Sequence, residues 1–140
     1  MFLGFMDKYR DEGLLILRIG IGLMFIIVHG LPKITGGPQQ WGQLGMAMQN
    51  VGIDFAPVFW GFMSALAEFG GGICLLLGIF VRPACVFMFI NMCVATCFHF
   101  KGGDGIAVAS HAIEMGVVFF SLIFIGGGKY ALDALFFRKK

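Results

Sequence analysis

Residues 57–82 read PVFWGFMSALAEFGGGICLLLGIFVR, and this stretch decides the fold. A helix rises about 1.5 Å per residue, so about 20 apolar residues cross the hydrocarbon core of a bilayer. Residues 57–80 meet that length. One carboxylate, Glu68, stands near the middle of the run. A charge at the bilayer centre costs on the order of 2.5–3.5 kcal/mol on insertion scales. Glu68 therefore requires a partner, and the rest of the chain holds the candidates.

Composition extends the same reading. The 140 residues are 59% hydrophobic and 13% charged, where a soluble domain carries about 25% charged residues. Mean hydropathy is +0.89. The expected fold is all-α: a polytopic membrane protein, one domain of four transmembrane helices. The spans are expected over residues 14–31, 57–80, 84–100 and 106–125. Residues 1–13 carry five charges and no small-residue cleavage site, so the first apolar run is expected to stay as a span. They suggest an amphipathic entry helix, with Phe2, Leu3, Phe5 and Met6 against Asp7, Lys8, Arg10 and Asp11. Pro32 is expected to end span one at Leu31. Arg82-Pro83 is expected to turn the chain between spans two and three, and residues 101–105 between three and four. In the long connection over 32–56, Trp41, Leu44, Met48 and Val51 fall at helical spacing opposite Gln40, Gln43, Gln49 and Asn50. That pattern predicts an amphipathic helix in the first outer loop.

Charge sets the expected topology. Lys8, Arg10, Arg18, Arg82, Lys129, Arg138, Lys139 and Lys140 fall on one side, and Lys33 and Lys101 on the other. Basic loops stay cytoplasmic, so both termini are expected there. The basic tail then faces anionic headgroups. His29, Lys33, His99, His111 and Glu114 come out toward the opposite side, with Arg18 in the inner third of span one.

Helical spacing assigns faces. Gly61, Ala65, Glu68 and Gly72 form one stripe of span two, and small residues let helices approach closely in lipid. His111, Glu114, Val118 and Ser121 form a stripe of span four. Arg18 and His29 are eleven residues apart in span one and share a face. All three stripes are expected to face the interior, which makes Arg18 the expected partner of Glu68. Two roles stay open for that pair: an ion pair fixing helix register, or a site for protons or a quinol hydroxyl.

The i, i+3 spacing of His111 and Glu114 resembles the Glu-x-x-His of di-iron bundles, but reversed and single. A metal centre is not expected; His29, His99, His111 and Glu114 are the residues that would supply ligands. A polar pocket in the outer membrane half, or histidines solvated at the interface, fits them better. Histidine suits proton-coupled chemistry because its pKa lies near 6.5. Cys93 and Cys97 share a face of span three; they suit small apolar packing, or thiol exchange where Cys97 is accessible. Trp41 and Trp60 suit interfacial anchoring. The chain has no phosphate loop, Ser–His–Asp set or nucleic-acid patch.

The segments LLILRIGIGLMFIIVHGLPK, AEFGGGICLLLGIFVRPA, FHFKGG, HAIE and GGGKYALD together resemble the DoxX family of small four-helix membrane proteins. The likeness covers roughly residues 14–133. It implies a four-helix bundle in the bacterial inner membrane. It also implies a membrane subunit of an oxidoreductase system, linked to quinone and working with a partner subunit. In such a subunit Arg18 and Glu68 would anchor the buried end of a pocket. His29, Lys33, His99, His111 and Glu114 would line its outer mouth and move protons. The alternative is a non-catalytic accessory or scaffold protein, with a small-solute carrier third. Expected partners are the lipid bilayer, an oxidoreductase subunit or a second copy of the chain, and no nucleic acid. Whether the chain is itself an enzyme stays open.

Overall fold

The structure is a computed structural model and describes residues 3–136. Phe2 of the entry segment and the basic end of the tail (Arg138, Lys139, Lys140) lie outside the described residues. Four helices are long and apolar enough to cross a membrane: α1 (Gly4–Ile34), α3 (Pro57–Leu77), α4 (Val81–Lys101) and α5 (Ile106–Ile125). Between α1 and α3 lies α2 (Gly37–Gly45), continued by a 3₁₀ segment, Met46–Val51. A short α6 (Leu132–Phe136) follows the glycine-rich tail loop. There is no strand among the described residues. The amphipathic helix of the first loop is thus present, with its second half tightened into 3₁₀.

Pro32 does not end the first helix. The chain runs through it to Ile34, and a π-helical turn occupies Phe25–Gly30 just upstream. Within an α-helix, proline removes one hydrogen bond and its ring collides with the carbonyl four residues back. The wider π turn, with Leu31 N–H bonded to Ile26 O, relieves that conflict. Each residue of a regular helix advances about 100°, so one extra residue in a turn rotates everything after it. Arg18 and His29 meet different partners: Arg18 bonds to the Leu75 carbonyl of α3, and the His29 ring packs beside Phe25 and against His111 of α5.

Arg82-Pro83 is not the second turn either. Both residues lie in the first turn of α4. The reversal occurs at Gly78, where φ is +71° and its N–H and that of Ile79 close back onto the carbonyls of Leu75 and Cys74. Asp133 then caps α4, accepting from Phe80 N–H at 2.8 Å and Val81 N–H at 3.0 Å. The tail is held to α1 as well: Lys129 N–H donates to Asp11 Oδ1 and the Tyr130 hydroxyl to Glu12 Oε1. The GGGKYALD segment therefore joins the starts of α1 and α4 at one end of the bundle.

Glycine sets the crossing of α1 on α3. A Cβ added at Gly22 would lie 2.8 Å from the Gly72 carbonyl oxygen, and one at Gly30 would lie 2.5 Å from Phe69 Cα. Only the absence of side chains permits this approach. The same holds where α2 crosses α3: Gly45 faces the Pro57 backbone and Gly61 faces the Trp41 backbone. The core between the spans is Phe25, Leu75, Val81, Cys85, Met88, Met92, Ala112, Phe119 and Leu122. In α5 the buried stripe is Ala109, Ala112, Gly116, Phe119 and Leu122. The predicted inward stripe is wrong: His111 and Glu114 are exposed, with Val118 and Ser121 half-buried at the edge of the same face.

Candidate functional site

The glycine crossings bring the C-terminal end of α1 over the middle of α3. Lys33 Nζ meets Glu68 Oε2 there at 2.6 Å. Asn91 of α4 donates from Nδ2 to Glu68 Oε1 at 2.8 Å, so both carboxylate oxygens are engaged. Glu68 is 3% exposed. The predicted partner, Arg18, is elsewhere. Its guanidinium is fully buried, and Nη1 donates to the Leu75 carbonyl at 3.2 Å, near the C-terminal end of α3. Leu75 lies seven residues beyond Glu68, about 10 Å along the helix. Arg18 faces the carbonyl end of a helix, where the macrodipole favours a cation. Its Nε and Nη2 have no partner among the described residues.

The Lys33–Glu68–Asn91 network forms the floor of a cleft of about 600 Å³ between α2, α3 and α4. Its walls are apolar, with Leu44, Met48, Met63, Ile90, Val94 and Phe98 among them. Ser64, Gln40, Gln43 and His99 add polar groups. Trp41 and Trp60 do more than anchor an interface. Trp60 lines the cleft, and Trp41 Nε1 donates to the Lys33 carbonyl at 2.8 Å while its ring packs edge-on against Phe62. Trp41 thereby fixes the backbone from which Lys33 reaches Glu68. At the mouth His99 Nδ1 pairs with Asp104 Oδ2 at 2.8 Å, and Lys101 Nζ donates to the Asn50 carbonyl at 2.6 Å. The second contact ties the end of α4 to the 3₁₀ segment.

Three of the seven predicted site residues, Lys33, Glu68 and His99, therefore line one cleft. His29 and His111 meet on the α1–α5 side, their rings stacked at 4.8 Å beside Phe25. Glu114 is exposed on α5, and Arg18 lies toward the opposite end of the bundle. Among the described residues no three His, Cys, Asp or Glu side chains stand close enough to hold a metal. The set His29, His99, His111 and Glu114 is thus not assembled. Sequence reasoning missed Asn91 and Ser64. The available signal for Asn91 was a lone amide inside the apolar run of span three. Cys93 is exposed, Cys97 is half-buried, and all four cysteines are free.

A family model described as DoxX matches residues 13–101. The chain belongs to the DoxX family. Relatives extend the match over nearly the full length. An uncharacterized protein of Haemophilus influenzae is 31% identical over 140 residues, covering 96% of this chain and 98% of that one. The inner membrane protein YqjF of Escherichia coli K12 is 31% identical over 139 residues, covering 96% and 99%. No solved structure matches. Kinship with an inner membrane protein and four apolar helices make this DoxX-family chain a multi-pass inner membrane protein.

Proposed function

We propose that the chain is a single membrane domain serving as the subunit of a quinone-linked oxidoreductase system, and that the cleft receives the quinone. One observation carries the reading: an apolar cleft of about 600 Å³ is lined by a half-buried Lys–Glu–Asn network built on the buried Glu68. Ligand sites are mostly apolar with a few convergent polar groups. The Lys33 ammonium and the Asn91 amide are donors suited to a carbonyl oxygen. The Glu68 carboxylate is an acceptor suited to a hydroxyl. Phe87, Ile90 and Phe98 line the cleft and are also exposed on α4, so its wall continues into the surface that faces lipid. A ligand dissolved in the bilayer can enter sideways along that wall.

When bound, a quinone supplies a two-electron, two-proton acceptor; the electrons come from a partner subunit or a soluble substrate. The chain's own residues bind and orient the head group and exclude water. Glu68 holds or passes a proton, and His99 stands at the mouth with Nδ1 already engaged by Asp104. By the positive-inside rule both termini face the cytoplasm, so the cleft opens toward the outer half of the membrane. The test is mass spectrometry of lipids retained by the purified protein. The expected result is a retained quinone, lost at least tenfold in Asn91→Leu. Absence of quinone from the wild type, with function intact in Glu68→Gln, would establish the non-catalytic accessory reading instead.

A further inference from the structure

The chain has five serine and threonine hydroxyls. Four of them bond back to a carbonyl three or four residues earlier: Thr35 to Leu31, Thr96 to Met92, Ser110 to Ala107 and Ser121 to Val117. Back-bonding of this kind satisfies a hydroxyl on an apolar helix without any outside partner. Ser64 is the exception. Its hydroxyl makes no hydrogen bond among the described residues, although Ser64 is half-buried on α3 and lines the cleft.

Trp60 supplies a second, independent observation. It also lines the cleft, and its Nε1 is buried with no partner among the described residues. Phe55 and Phe59 pack edge-on against its ring. Trp60, Ser64 and Glu68 are spaced four apart on α3, so they share a face. Ser64 stands about 6 Å along the helix axis from Glu68. One wall of the cleft therefore carries, in order, an unpartnered indole N–H, an unpartnered hydroxyl and the engaged Glu68 carboxylate. Polar groups left unmade away from water cost free energy, and a ligand oxygen in the cleft removes that cost.

We infer that Ser64 is the specificity-determining residue of the cleft, binding the second oxygen of a ring whose first oxygen meets Glu68 and Asn91. This rests on the quinone reading of the cleft and narrows it to rings oxygenated at opposite corners. Such oxygens are on the order of 5 Å apart, two carbonyl bonds of about 1.23 Å plus the ring between them. That separation matches the step from Glu68 to Ser64. A serine hydroxyl both donates and accepts, so it serves a carbonyl and a phenolic hydroxyl alike. The other end has the same versatility, because Lys33 and Asn91 are donors and Glu68 is an acceptor. The oxidised and the reduced ring are therefore held in one pose.

The experiment is calorimetric titration of the full chain in detergent, under argon, with a decyl-substituted hydroquinone and with the decylphenol that lacks one of its hydroxyls. The wild type should bind the hydroquinone about tenfold more tightly than the phenol, within the range of one neutral hydrogen bond. Ser64→Ala should abolish that preference by weakening the hydroquinone alone. Ser64→Thr, which retains the hydroxyl, should keep it. Equal weakening of both ligands in Ser64→Ala would show a merely structural role and overturn the inference. A preference that survives in Ser64→Ala, or is lost in Ser64→Thr, overturns it as well. Each of those three results leaves the quinone reading standing. Failure of the wild type to bind either ligand overturns the inference and that reading together.

Discussion

Lys33 and Glu68 lie 35 positions apart in the chain and meet at 2.6 Å beneath an apolar cleft. Three features make the contact. The π turn before Pro32 rotates the end of α1, glycines at 22 and 30 let α1 press on α3, and Trp41 bonds to the Lys33 carbonyl. The charge that the apolar run of span two could not tolerate alone is neutralised by a residue beyond the proline.

Removing one partner leaves an uncompensated charge, which in buried pairs costs about 3–5 kcal/mol. Lys33→Met and Glu68→Leu should each destabilise by that order, tempered for Lys33 by its partial exposure. The double variant should lose clearly less than the sum. Arg18→Met with Glu68→Leu should instead be additive. Denaturant titrations in mixed micelles measure this; additivity at Lys33/Glu68 with coupling at Arg18/Glu68 would reverse the assignment of partners.

Gly22→Ala should destabilise by about 1–3 kcal/mol, the usual consequence of overpacking. Its methyl would meet the Gly72 carbonyl oxygen at 2.8 Å and the Leu76 nitrogen at 2.9 Å, both backbone atoms that cannot move aside. Gly20→Ala, two residues earlier, meets nothing within 4 Å and should be neutral or slightly stabilising. Thermal unfolding of the two variants side by side tests the crossing. Equal behaviour would show that α1 and α3 are not held by backbone contact.

The tail lock should be pH-dependent. The Tyr130 hydroxyl donates to Glu12, and that hydrogen bond, followed by the Glu12 charge, raises the phenol above its ordinary value of 10.0. A phenol whose folded pKa is raised contributes stability that is fully present below the unfolded pKa, and loses it as pH rises through the folded value. The contact is therefore intact at neutral pH and weakens above about pH 10. Stability of the wild type should fall there more steeply than that of Tyr130→Phe. Parallel profiles would rule the contact out as a contributor.

Orientation has a direct check. A reporter fused after the last residue should be active only if it is one that works in the cytoplasm. A periplasmic signal would invert the side assigned to the cleft, the three histidines and the basic loops together.

Much of the architecture was legible because membranes leave few choices. Apolar runs near 20 residues must be helices, since every backbone group must bond within its own segment. The stripe of Gly61, Ala65, Glu68 and Gly72 was legible for the same kind of reason, because all four are buried as the spacing predicts. The errors have other causes, and Arg18 missed Glu68 by depth, bonding to Leu75 seven residues further along α3. The spacing rule assumes one uninterrupted period, and the π turn at Phe25–Gly30 broke it. The spacing of His111 and Glu114 gave them a common face but could not tell inward from outward, because α5 has small residues on both sides.

By itself the sequence determined four membrane helices, the loop helix, the intolerable charge at Glu68 and the family. Those follow from composition, from length and from local chemistry. Only the tertiary structure decided that Lys33 and Asn91 satisfy Glu68, that Arg18 faces the end of α3, and that Glu114 points out of the bundle. Pairing depends on how far one helix is rotated against another. That rotation is set by glycine contacts and one widened turn, which no single segment encodes.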